Sequence, residues 1–131
     1  MKIEQQVFIV DDDLSARIGL TRLLNAAGFS VRFFVSFSEF LKLIKTEKHG
    51  CILLDPHISG FETTQLKEIL SKSDQNLVVI FTTVDYNEET RMKARELNAV
   101  GLFSKPVDGL ALIDAIKWAL RNDNTVSKGN L

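Results

Sequence analysis

Asp11, Asp12 and Asp13 follow directly on the apolar run VFIV at residues 7–10. Like charges held side by side repel, and each carboxylate favours water. Such a trio is either a solvated turn or one wall of a site that takes a positive partner. Other chemically capable residues follow apolar runs in the same way: Asp55 after CILL, Thr82 and Thr83 after LVVIF, and Lys105 with Pro106 after GLFS. A set of carboxylates is a hard-cation site, and Mg2+ suits it because that ion uses one or two carboxylates, keeps several waters and grips phosphate. Asp13 reads better as the N-cap of the helix that follows than as a metal ligand. His57 has no second His or Cys near it in sequence, which argues against its imidazole as a ligand.

These residues become one site only if the runs before them are neighbouring strands. The runs at 7–10, 31–35, 51–54, 77–81 and 101–103 are short, rich in Val, Ile and Phe, and nearly evenly spaced. Helical patterns fill the gaps between them, which is the signature of βα units and a parallel sheet. Unbroken apolar runs fit strands covered on both faces. In an open sheet of this kind the functional crevice lies beyond the carboxyl ends of the strands. Adjacent strands are ~5 Å apart, so Asp55 joins the acidic group if the first and third strands pair.

The intervening helices have their own signals. LSARIGLTRLLNAAG predicts a helix with Leu14, Ile18, Leu20, Leu23, Leu24 and Ala27 inward and Gly28 as its stop. SFSE at 36–39 predicts a capping box before Phe40, Leu41 and Ile44, and SGFE at 59–62 repeats that pattern before TTQLKEIL. NEETRMKARELNA has the thinnest apolar face, with Met92, Ala94 and Leu97 as its inward candidates. VDGLALIDAIKWALR closes the fold through Leu112, Ile113, Ile116 and Leu120. Residues 122–131 read as a polar C-terminal tail.

The 131 residues suggest a single domain with one real core. An apolar fraction of 45% and a charged fraction of 25% are ordinary for a globular chain. A formal net charge of −1 gives no argument for nucleic-acid binding. The lone Cys51 sits in an apolar run and behaves as a small hydrophobe. No stretch reaches the ~20 apolar residues of a membrane span, and the first apolar run is too short for a signal peptide. The expectation is a cytoplasmic protein without membrane contact.

In VFIVDDD, ILLD, VVIFTT and SKPVD, taken in that order, the chain resembles the receiver domain of bacterial two-component response regulators. The resemblance covers Val7 to about Leu120. It implies a doubly wound, flavodoxin-like α/β fold, a five-stranded parallel sheet in order 2-1-3-4-5 with five helices, and a receiver domain over 1–121. It implies a signalling phosphoacceptor rather than an enzyme with an external substrate. The phosphoryl group would come from a sensor histidine kinase or a phosphotransfer protein.

By the same resemblance Asp55 is the phosphoacceptor, and Asp12, Asp11, Asp55 and the carbonyl of His57 hold Mg2+. Thr83 is the switch hydroxyl, Lys105 contacts the acyl phosphate, and the Lys105–Pro106 bond is cis. His57 and Asp85 fall where the family tunes water access. The output protein or domain engages the fourth helix, fifth strand and fifth helix, with no direct contact to nucleic acid.

The chain departs from the family pattern in two places. The loop DPHISG after Asp55 is short, and Pro56 removes one N–H that could serve a phosphoryl group. Leu102 stands where the family often has an aromatic switch. These departures keep open a degenerate receiver that binds partners without phosphorylation. A regulatory piece of a longer DNA-binding regulator is a further alternative. An unrelated aspartate-nucleophile phosphatase is a further, disfavoured alternative.

Overall fold

A computed structural model describes residues 5–72 and 74–129, with side chains as far as residue 121. Strands and helices alternate strictly: β1 (Gln6–Val10), α1 (Leu14–Ala26), β2 (Ser30–Phe34), α2 (Phe37–Ile44), β3 (His49–Leu54), α3 (Thr63–Leu70), β4 (Asn76–Thr83), α4 (Glu88–Glu96), β5 (Gly101–Ser104) and α5 (Gly109–Gly129). The five strands pair in parallel in the order β2-β1-β3-β4-β5. This is the expected doubly wound sheet, with β3 central and the strand order reversing between β1 and β3.

Successive side chains on a strand point to opposite faces, and that parity divides the core in two. Phe8, Val10, Ile52, Leu54, Val79 and Phe81 meet α2, α3 and α4 on one face. Val7, Ile9, Cys51, Leu53, Val78 and Ile80 meet α1 and α5 on the other. Both faces are covered, which is why the runs are apolar throughout rather than alternating.

Several local expectations hold. Asp13 caps α1, accepting from the N–H groups of Ser15 at 3.0 Å and Ala16 at 3.4 Å. Ser36 caps α2 through the Glu39 N–H at 3.3 Å. Others are corrected. Leu14 and Ile18 are exposed, and only Leu20 and Leu24 of α1 are buried. One helical turn separates Leu14 from Ile18, so the pair forms its own stripe away from the sheet.

Met92 is also exposed, and Thr90 takes the inward place beside Ala94. Ser59 does not cap α3. Gly60, at φ 83, turns the chain there, and the helix begins at Thr63 after Glu62. The backbone of the polar 122–131 segment is helical as far as Gly129. No proline or glycine interrupts it before that point. Its side chains lie outside the described residues.

Candidate functional site

Two backbone hydrogen bonds bring the acidic residues together. The Asp55 N–H donates to the Val10 carbonyl at 3.0 Å, extending the β1–β3 ladder by one step, and the Asp11 N–H donates to Phe34 at 3.0 Å. Asp11 and Asp55 therefore leave adjacent strand ends side by side. From the other side of the crevice, the Lys105 N–H donates to the Thr83 carbonyl at 2.8 Å, placing the lysine just beyond β5. The Lys105–Pro106 peptide bond is cis.

The lysine closes the cluster. Its Nζ lies 2.8 Å from Asp11 Oδ2, donates to Asp55 Oδ2 at 2.9 Å, and is 3.9 Å from Asp13 Oδ2. Asp11 is 1% exposed and Asp55 8%. The other carboxylate oxygens are held by main chain: Asp11 Oδ1 accepts the Asp13 N–H at 2.9 Å, and Asp55 Oδ1 accepts the His57 N–H at 2.9 Å. Asp11 Oδ2 is paired with the ammonium by charge, yet no donor reaches it with hydrogen-bond geometry.

Burial raises the Asp11 carboxyl above its ordinary value, opposed by Lys105 and the Asp13 N–H. For Lys105, burial works against the charge, but close pairing with the Asp11 and Asp55 carboxylates outweighs it and holds the ammonium above its ordinary value. The lysine is thus charged at neutral pH, shared by two carboxylates that would otherwise repel.

Of the residues singled out from sequence, Asp11, Asp55 and Lys105 converge, with Asp13 at the edge. Asp12 is exposed on the rim and is not drawn into the lysine's cluster. Thr83 is fully buried at the end of β4, and its hydroxyl is engaged locally: it accepts the Asp85 N–H at 3.0 Å and donates to the Asp85 carbonyl at 3.3 Å. His57 is exposed, with Nε2 3.5 Å from Asp85 Oδ2. Sequence pattern gave no reason to single out Val84. Its exposed side chain lines an apolar groove of about 670 Å³ with Leu20, Leu23, Pro106 and Val107, and Asp13 and Lys105 stand at its edge.

Among the described residues no three His, Cys, Asp or Glu side chains gather into a group that could hold a metal ion. The donor chemistry nevertheless fits Mg2+. Two carboxylates already stand together, one buried oxygen of Asp11 lacks a hydrogen-bond donor, and a single cationic group already satisfies both. Magnesium requires one or two such ligands with water completing its shell.

Comparison with known proteins gives a consistent result. Residues 7–117 match the family model described as "Response regulator receiver domain". The chain is 34% identical over 114 residues to "Transcriptional regulatory protein TdiR" of Thauera aromatica, covering 87% of this chain and 50% of that protein. The chain spans about half the length of the first curated relatives it matches. Among solved structures, a "response regulator receiver domain protein (CheY-like)" from Methanospirillum hungatei JF-1 superposes with a TM-score of 0.82 at 23% identity, covering 94% of this chain and 98% of that one. A response regulator from Burkholderia pseudomallei, solved with a phosphorylated aspartic acid, calcium ion and citrate, superposes at 0.74 with 21% identity, covering 95% and 71%.

Proposed function

This chain belongs to the response regulator receiver domain family, and on that premise we propose that it is a phosphoacceptor whose acceptor is Asp55. The observation that carries this reading is the shared ammonium: Lys105 binds both Asp11 and Asp55 at the ends of neighbouring strands. A carboxylate so placed serves as a covalent nucleophile. One Asp55 oxygen bonds to the phosphorus of a phosphohistidine on a sensor kinase or phosphotransfer protein. The P–N bond breaks, and the departing imidazole takes a proton from solvent. No external substrate is turned over.

Anion attacking anion needs positive charge close to the moving oxygens. Lys105 supplies one such contact from its present position. Asp11, Asp12, Asp55 and the His57 carbonyl would hold Mg2+, which supplies the remaining charge neutralisation when bound. The Burkholderia pseudomallei protein, solved with a calcium ion and a phosphorylated aspartic acid, is in keeping with that role. Thr83 donates its hydroxyl to the transferred group once it leaves Asp85. That movement draws on the loop before α4, the helix with few inward side chains, and re-sets the face formed by α4, β5 and α5 for an output partner.

One observation favours a second reading. Pro56 follows the acceptor and is buried, so His57 supplies the N–H seen on Asp55 and the position before it has none to give. A degenerate receiver, binding partners without phosphorylation, would tolerate that loss. In a longer protein, as with the relatives of which this chain spans about half, either form would act as the regulatory part.

Incubation with Mg2+ and acetyl phosphate, followed by intact mass measurement, separates the two readings. The phosphoacceptor gains one phosphoryl group, and Asp55→Asn abolishes the gain. A folded wild-type chain that gains nothing supports the degenerate reading.

A further inference from the structure

Phe61, near the end of the loop that follows Asp55, touches three separate elements. Its ring stands edge-on to Phe37 of α2, with centroids 5.1 Å apart at 87°, and to Phe81 of β4, at 6.3 Å and 84°. Both separations lie in the range where edge-to-face rings attract. Lys93 of α4 holds its Nζ 5.8 Å from the centroid of the same ring, close enough for an ammonium to feel the ring's negative face.

The chain between Asp55 and Phe61 has little slack. The Ile58 N–H donates to the Asp55 carbonyl at 3.1 Å, and the Phe61 N–H donates to the Ile58 carbonyl at 3.2 Å. Ile58 is buried, as are Phe37 and Phe81. A shift of the main chain at Asp55 or His57 is therefore passed along to Phe61 rather than absorbed. The helix it meets is lightly anchored, because the buried side chains of α4, Thr90 and Ala94, are small. Lys93 is partly buried and pairs with Glu89 one turn back at 3.5 Å, which helps to keep its ammonium beside the ring. Leu102 of β5 packs against the same cluster but has no ring to offer.

We infer that Phe61 is a positioning residue: through Lys93 it ties the loop after Asp55 to α4, and it carries displacement of that loop to the helix by a route separate from Thr83. That a phosphoryl group displaces the loop rests on the reading of Asp55 as acceptor, whereas the tie itself does not. Phe37 and Phe81 hold the ring from the sheet and α2, so movement of the loop turns the ring against Lys93 instead of into open space.

The test is a double-mutant cycle of Phe61→Leu, Lys93→Met and the double variant, read by hydrogen exchange of the amides of residues 94–97 in unphosphorylated protein. Lys93→Met keeps an apolar stem and leaves the aromatic packing alone, and the loss of its Glu89 pair cancels around the cycle. The double variant should fall short of the product of the two single effects by about 2- to 5-fold, the range for an exposed cation over a ring. Acetyl phosphate with Mg2+ should then change α4 exchange in wild type, and change it less in Lys93→Met at equal mass gain on Asp55. Single effects that simply multiply overturn the inference, as does an undiminished α4 response in Lys93→Met. A wild-type chain that takes no phosphoryl group while the cycle remains coupled overturns the acceptor reading and leaves the tie standing.

Discussion

Lys105 and Asp55 lie 50 residues apart in sequence, yet Nζ and Oδ2 meet at 2.9 Å, and the same Nζ is 2.8 Å from Asp11 Oδ2. One ammonium thus separates two carboxylates that share a poorly hydrated crevice. Removing it leaves like charges facing each other with no counter-ion, a more costly state than losing a surface pair. Lys105→Met should lower stability by about 1–3 kcal/mol, and adding Asp55→Asn should recover a large part of the loss. Urea denaturation of the two variants measures both. Equal stability of Lys105→Met and wild type would contradict the shared-ammonium description.

Asp11 gives the pH dependence its sign. Its carboxyl titrates above the ordinary 3.8, chiefly through burial. Between that value and the raised one the folded chain binds more protons than the unfolded chain, so stability is lost as pH rises through the window. Asp11→Asn removes the contribution. Unfolding midpoints measured from pH 3.8 upward should fall more steeply in wild type than in the variant. Parallel curves would show that the Asp11 carboxyl is not perturbed by folding.

Magnesium should stabilise the folded chain by linkage, because the unfolded chain has no assembled site. At a concentration 100 times its dissociation constant the gain is about 2.7 kcal/mol. Asp12→Asn should weaken the response, since Asp12 is the carboxylate free to turn in from the rim. Thermal unfolding with Mg2+ and with a chelator measures the difference. An undiminished response in Asp12→Asn would remove that residue from the proposed ligand set.

Gly50 marks a place where the fold excludes a side chain. Its φ is +142°, and a Cβ there would fall 2.7 Å from Phe8 Cε2 and 3.0 Å from the Gln6 carbonyl. Gly50→Ala should cost about 1–3 kcal/mol. Gly19, inside α1 with nothing within 4 Å of its Cβ position, should instead gain about 0.5–1 kcal/mol on substitution by alanine. Denaturation midpoints moving in opposite directions are the expected result.

The inner strands β1, β3 and β4 were legible in the sequence because each is sealed on both faces, which leaves an unbroken apolar signature. The helices were less so. Periodicity identified α1 but included Leu14 and Ile18 among its inward residues, although they are exposed. An apolar residue records only that burial is tolerated, and the sheet decides which stripe it covers. The SGFE motif misplaced the start of α3 for a related reason: the positive φ of Gly60 makes a turn that the capping pattern does not encode. The lysine at the end of β5 was visible as a residue, but not as the shared partner of two particular oxygens.

By itself the sequence determined which residues stand at strand ends, because strand boundaries are written in local apolar runs and their breaks. Those runs also selected a parallel sheet, since only strands covered on both faces need to be apolar throughout. Tertiary structure alone decided that Asp12 stays on the rim while Asp11 goes inward, and that Thr83 spends its hydroxyl on Asp85 in the resting chain. These choices are made by register and loop path across residues distant in sequence, where a displacement of a few ångströms decides which partner a polar group finds.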